Sequence, residues 1–384
     1  MKTLILASAS LTALLLAASP ALAGNNTTIQ QVGTAQHATA DQTNSSDGGV
    51  IQITQGLDAT QGTDGYNQAT ATQGGSGNQA SITQSQGLYG VANPSNTSTS
   101  DQEGVNGTVT VVQVGNNTSL ITQGGTGEHA IVGQSNNFNT STIVQAGVGE
   151  LGLVNQEEGT GNVATIAQAG TGDGTFAGFV DGTQSAGPGP NLHWHENLPS
   201  DSVIPGVSTG HTLYGPTGAV VDQNGNNNNG AINQAGYQNF ADVSQGNQDG
   251  SFNNSASVTQ GAGQYYSAAV VYQDGSGNIA QMNQQGSGSS YATTWQQGSG
   301  NQAYTSQTGS EYSVIGQGIA GEGFGASMNV NNNYANVNQT SGNDASTITQ
   351  MGNSGQAWVS QTAQANATST ITQGGSFSVA VVRQ

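Results

Sequence analysis

Cysteine is absent from the chain. No disulfide can staple it, thiol catalysis is excluded, and no metal site can draw on thiolate ligands. Basic residues are almost absent as well. Lys2 and Arg383 stand against 21 acidic residues, for a formal net charge of −19. Nucleic-acid binding needs clustered Lys or Arg to neutralise phosphate, and an anionic membrane surface needs the same, so neither is an expected partner. Large apolar side chains are scarce, with 33% of residues hydrophobic and 5% aromatic. A conventional core needs such side chains to offset the backbone entropy of folding. What fills the chain instead is small and polar, including 59 glycines. A composition of this kind stays disordered unless order comes from regular stacking of polar strands. The acidic excess also makes soluble copies repel one another and delays uncontrolled association.

The N-terminus has a leader's organisation. Met1-Lys2-Thr3 supplies one positive charge, Leu4 to Ala18 is apolar and small, and Ala21-Leu22-Ala23 fits a small-x-small cleavage site. Residues 1–23 are read as a secretory signal peptide with Gly24 as the mature start. A membrane anchor is the competing reading, but the apolar run is short for a span. No later segment is apolar enough to cross a bilayer. A secreted, extracellular location is expected, on the surface of a bacterium.

Internal repetition dominates the chain beyond Gly24. Asn, a small residue two positions on, an aliphatic residue two further and Gln two after that recur as Asn78-Ala80-Ile82-Gln84, Asn162-Ala164-Ile166-Gln168, Asn239-Ala241-Val243-Gln245 and Asn278-Ala280-Met282-Gln284. All four named positions share one parity. In a strand they point to one face, and the intervening Ser and Thr point to the other. The step from Gln to Gln is eleven residues over Gln123, Gln134, Gln145 and Gln156, and again over Gln223, Gln234 and Gln245. Gly-rich turns such as Gly74-Gly75-Ser76-Gly77 separate the strands. An eleven-residue unit is therefore a strand of about six or seven residues plus a turn. Two units make a layer of roughly 22 residues, and layers stack about 4.7–4.8 Å apart with like residues superposed. The expected fold is all-β: a β-solenoid of strand-turn-strand repeats, cross-β on assembly. Asn over Asn and Gln over Gln are expected to form amide ladders. The residues expected to carry the ladder are Gln73, Asn78, Gln84, Gln234, Asn239, Gln245, Gln273, Asn278 and Gln284.

The full unit Gln-x-Gly-x-x-Asn-x-Ala-x-x-x-Gln occurs at Gln73–Gln84, Gln234–Gln245, Gln273–Gln284 and Gln296–Gln307. It resembles the repeat of curlins, the subunits of bacterial curli fibres. The resemblance covers most of residues 25–174 and 223–384. It implies an amyloid β-solenoid subunit of a cell-surface fimbrium or pilus-like fibre. It also implies self-association, a nucleator or other curlin subunits as partners, export through an outer-membrane pore, and roles in biofilm matrix, cell adhesion and surface colonisation. A major subunit, a minor subunit and a nucleator all remain open.

The period fails over residues 175–222, where five of the seven prolines fall. Proline removes a ladder donor, so this segment is expected to leave the solenoid as an insert between two repeat blocks, 24–174 and 223–384. It holds His193-Trp194-His195-Glu196. His193 and His195 at i and i+2, with Glu196, are spaced to share a metal; an incidental surface loop is the plainer alternative. Asp64, Glu128, Glu150, Asp173 and Asp274 lie near Gly-rich turns. Such carboxylates bind calcium in some β-rolls, but the nonapeptide pattern is missing, and solvated residues that slow aggregation are the favoured reading. No nucleophile elbow, phosphate loop or helical His pair is present, so no catalytic residue and no cofactor are expected. The leading expectation is a structural fibre subunit. The alternative is a monomeric solenoid adhesin that binds a surface.

Overall fold

The computed structural model describes residues 24–32, 36–56, 66–85, 95–157, 159–171, 218–246, 252–318, 330–340, 342–362 and 365–384. The expected signal peptide and nearly all of the insert, including His193, His195 and Glu196, lie outside these residues, as do Asp64 and Asp173.

The described chain is all-β and forms the expected solenoid. Successive strands alternate between two parallel sheets: Asn26–Gln31 opens the first, His37–Asp47 the second, Val50–Gln55 returns to the first and Gln68–Ser76 to the second. The alternation continues to Thr368–Gln373 and Val379–Arg383. Among the described residues thirteen strands lie on the path of each sheet, giving thirteen two-strand layers, with Val330–Asn331 pairing beside the main path.

The register superposes like on like. Ile53, Ile82, Val111, Val132 and Val154 form one column along the first sheet, and Ile121, Ile143, Ile166, Ile232 and Val258 form one along the second. These aliphatics and the neighbouring alanines are buried between the sheets. The interior is thin, so one aliphatic, one small residue and one Gln per strand fill it. That is how so little large apolar surface suffices.

Turns stack as regularly as strands. Gly161, Asn227, Asn253, Gly277, Gly300 and Asn332 occupy one corner with φ between 55° and 72°. Gly and Asn tolerate this left-handed backbone at least cost. At the last layer the same corner holds Phe377, with φ 58°.

Two expectations about organisation need correction. Residues Gly218–Asn224 are a strand, paired in register with Leu151–Glu157 and with Phe240–Gln245. The second run of repeats therefore starts at Gly218, because Ala219, Val221 and Gln223 already carry the inward pattern. Nor does the insert divide the stack, since layers before and after it are adjacent and bonded. The core breaks elsewhere. One buried cluster runs from Ile51 to Ala292 and a second starts at Ala303. Between them Thr294 and Thr305 replace the aliphatic residue in both strands of a single layer.

Candidate functional site

The sites singled out by the sequence are the amides, and all nine are buried. Gln84, Gln245 and Gln273 belong to the first sheet; Gln73, Gln234 and Gln284 belong to the second. In the first sheet an unbroken ladder runs from Gln31 through Gln55, Gln84, Gln113, Gln134, Gln156, Gln223, Gln245, Gln273, Gln296, Gln317 and Gln350 to Gln373. A matching ladder in the second sheet runs from Gln42 to Gln384. Every rung has one direction: Nε2 donates to the Oε1 one layer nearer the C-terminus. Rung lengths fall between 2.7 Å, at Gln134 to Gln156, and 3.1 Å, at Gln307 to Gln339.

The second Nε2 proton crosses the interior. Gln245 donates to the Asn229 carbonyl at 3.1 Å, and Gln273 to the Ser255 carbonyl at 3.1 Å. Each Gln thus ties its own layer to the next and its own sheet to the opposite one. This explains a buried polar residue in every strand, since both amide protons and the oxygen are satisfied.

The asparagines work differently from the expected ladder. Asn96 Nδ2 does donate to Asn67 Oδ1, at 3.1 Å. Otherwise Oδ1 accepts the main-chain N–H at the equivalent position of the next layer: Asn78 from Gly107, Asn239 from Ser267 and Asn278 from Asn301. Nδ2 reaches back four residues to a turn carbonyl, from Asn78 to Gly74 and from Asn278 to Asp274. Asn is therefore a clamp on the turn. The physical reason is reach: the shorter side chain lies beside the corner main chain, not in the interior.

Sequence reasoning missed what replaces Asn in the first sheet. Glu128, Glu150, Glu311 and Asp344 occupy the clamp position and are buried. Glu128 accepts from the Gly147 N–H at 2.8 Å and Asp344 from the Ala367 N–H at 2.9 Å. Glu128 and Glu150 are therefore not the solvated carboxylates expected of them; Asp344 accepts at the equivalent position of the next layer as Asn does, whereas Glu128 and Glu150 accept from the turn N–H groups of Gly147 and Gly170. Having no donor, the carboxylate leaves one oxygen of Glu128, Glu150 and Glu311 without a hydrogen-bond partner. Burial, together with the Glu128 carboxylate one layer away, pushes Glu150 up to about 7. Burial, with Asp344 adjacent, does the same for Glu311. Among the described residues no group of three metal-ligating side chains comes together.

The stack ends in open edges. Among the described residues, Asn26–Gln31 and His37–Asp47 are paired on one side alone, as are Thr368–Gln373 and Val379–Arg383. At the C-terminal edge the Nε2 groups of Gln373 and Gln384 have no further Gln to donate to, while at the other edge Gln31 and Gln42 carry the terminal Oε1 atoms, that of Gln42 accepting from the Thr27 hydroxyl at 2.7 Å. No family model matches the chain, and no curated protein matches it.

Proposed function

We propose that the chain is a secreted structural subunit of a curli-type extracellular fibre, joined end to end with further copies and serving biofilm matrix, adhesion and surface colonisation. The observation that carries this reading is the pair of unidirectional glutamine ladders ending at open strand edges. An Nε2 donor at one end and an Oε1 acceptor at the other are complementary. A second copy placed on the edge continues both ladders and both main-chain sheets without any new kind of contact. Main-chain bonds supply affinity and the glutamines fix register, because a one-residue slip turns every Gln outward. The mechanism has no catalytic step and uses no cofactor.

The test is to incubate purified residues 24–384 and follow thioflavin fluorescence alongside electron microscopy. Fibres with an axial spacing of about 4.8 Å are expected. A chain that stays monomeric for days, even with seeds added, sinks the reading. That outcome would favour the second reading, a solenoid that works as a monomer through its outer face. The outward threonine pairs Thr347–Thr370 and Thr349–Thr372, with Thr368 beside them at the C-terminal edge of the first sheet, speak for it.

A further inference from the structure

The outer face of the second sheet carries a row of aromatic rings near its C-terminal end. Tyr304, Tyr334 and Trp358 come from the adjacent strands Gln302–Thr308, Tyr334–Gln339 and Gln356–Gln361. Their ring centroids are 5.5 Å apart at both steps, with interplanar angles of 38° and 43°. The rings form a tilted strip, and each remains half-exposed. Inward neighbours such as Ala303, Ala335 and Ala357 hold the strands in place, so the strip rests on a fixed sheet.

Amides border the rings. Asn336 Nδ2 lies 3.4 Å from the Tyr334 hydroxyl, and the Tyr304 hydroxyl lies 3.5 Å from Gln302 Oε1. Both contacts are long and leave capacity for a better partner. Two shallow hollows open along the strip, one beside Tyr334 and Trp358 and one beside Tyr304, of about 370 and 480 Å³. Ligand sites span roughly 300–1,000 Å³. In the second hollow the Asn283 Oδ1 has no hydrogen-bond partner.

Charge selects the ligand class. Every residue lining the two hollows is neutral, on a chain of net charge −19. A polyanion meets long-range repulsion on approach; a neutral ligand does not. Ring faces pack against flat C–H surfaces. Amides both donate and accept, which matches hydroxyls that do the same. A chain of sugar rings offers these two features at once.

We propose that this strip binds a neutral polysaccharide, with sugar rings laid on Tyr304, Tyr334 and Trp358 and hydroxyls bonded to Gln302, Asn336 and Gln356. The proposal goes beyond fibre building and applies equally to a monomer. Affinity electrophoresis of residues 24–384 through gels containing hydroxyethylcellulose, galactomannan or a soluble β-1,3-glucan tests it. Fibre formation is scored separately by microscopy. At least one neutral polymer is expected to retard the protein, and carboxymethylcellulose to retard it less. Tyr334→Ala with Trp358→Ala should weaken binding about tenfold or more. Trp358→Phe should retain most of it, and Tyr312→Ala, on the other sheet, should change nothing. Gln356→Ala, at an exposed side chain, provides a second weakening variant should the double variant fold poorly. No retardation by any of the neutral polymers overturns the proposal. So does equal retardation of the strip variants, or strip variants that lose only self-association, which would assign the strip to a second copy.

Discussion

At the scale of single residues, the two amides of the repeat have separate tasks. Gln245 illustrates the first. It accepts from Gln223 at 2.9 Å, donates to Gln273 at 2.8 Å and ties to the Asn229 carbonyl. Gln245→Leu keeps the volume but takes a partner from the buried Gln223 Nε2 and Gln273 Oε1 and from the part-buried Asn229 carbonyl, and each orphaned buried group costs about 1–3 kcal/mol. A loss of at least about 2 kcal/mol is expected, read as a lower urea midpoint at unchanged slope. A Leu variant as stable as the parent would show that packing, not the ladder, matters at this position. In the sequence Asn78 and Gln84 looked alike, since both lie on the inward face at fixed spacing. What separates them is side-chain length against the corner, which becomes visible only once the turn main chain has a position.

At the scale of the element, strands and their inward faces were legible because parity and an eleven-residue step are strong signals. The continuity of the stack across residues 172–217 was not. A parallel layer pairs with its predecessor whatever lies between them, and loop closure grows only slowly with length. Stacked glutamines are thus separated by 22 residues between Gln123 and Gln145 but by 67 between Gln156 and Gln223, with rungs of the same 2.8 Å. The weak layer was hidden for another reason: Thr suits a strand as well as Val does. Thr305 is buried with its hydroxyl unpartnered. Thr305→Val should rejoin the two core clusters and stabilise the protein by about 1 kcal/mol, with the greatest slowing of hydrogen exchange in Tyr291–Ser299 and Gln302–Thr308. A destabilised variant would mean that this hydroxyl has a role.

The carboxylates of the clamp column give a pH dependence at the same scale. Glu150 titrates near 4.5 when unfolded and is pushed up to about 7 when folded, and Glu311 behaves likewise. Between these values the folded state holds more protons, so stability falls as pH rises from about 4.5 to 7 and levels off on either side. Unfolding midpoints should therefore be higher at pH 5 than at pH 8. Glu150→Gln restores a donor, stabilises the protein at pH 8 and removes that residue's share of the slope, the rest staying with Glu311 and with Asp222 and Asp242, which burial likewise pushes up to about 7. A parent protein more stable at pH 8 than at pH 5 would contradict the assignment.

At the scale of the whole molecule, the thirteen layers of the described residues, at about 4.8 Å each, make a stack of roughly 60 Å with unlike ends. On the fibre reading that polarity is open to test by capping. In each interior strand alternate N–H groups donate to the following layer, as Ala345 donates to the Ala367 carbonyl and Gln356 to the Ser378 carbonyl. In the last layer the same alternate set includes Thr370 and Val381, both exposed, and among the described residues no further strand follows. Thr370→Pro with Val381→Pro removes N–H groups that the monomer does not use, at edge positions where proline is tolerated. The variant should therefore fold like the parent by circular dichroism. It should still dock through its intact N-terminal edge onto the C-terminal end of a growing fibre, and then present rings where the next copy needs donors. Added in small proportion to seeded parent protein, it should stop elongation at one end while the other end grows. Single-fibre imaging reads the two ends separately. Unchanged growth at both ends, or equal inhibition of both, would exclude head-to-tail addition through these edges.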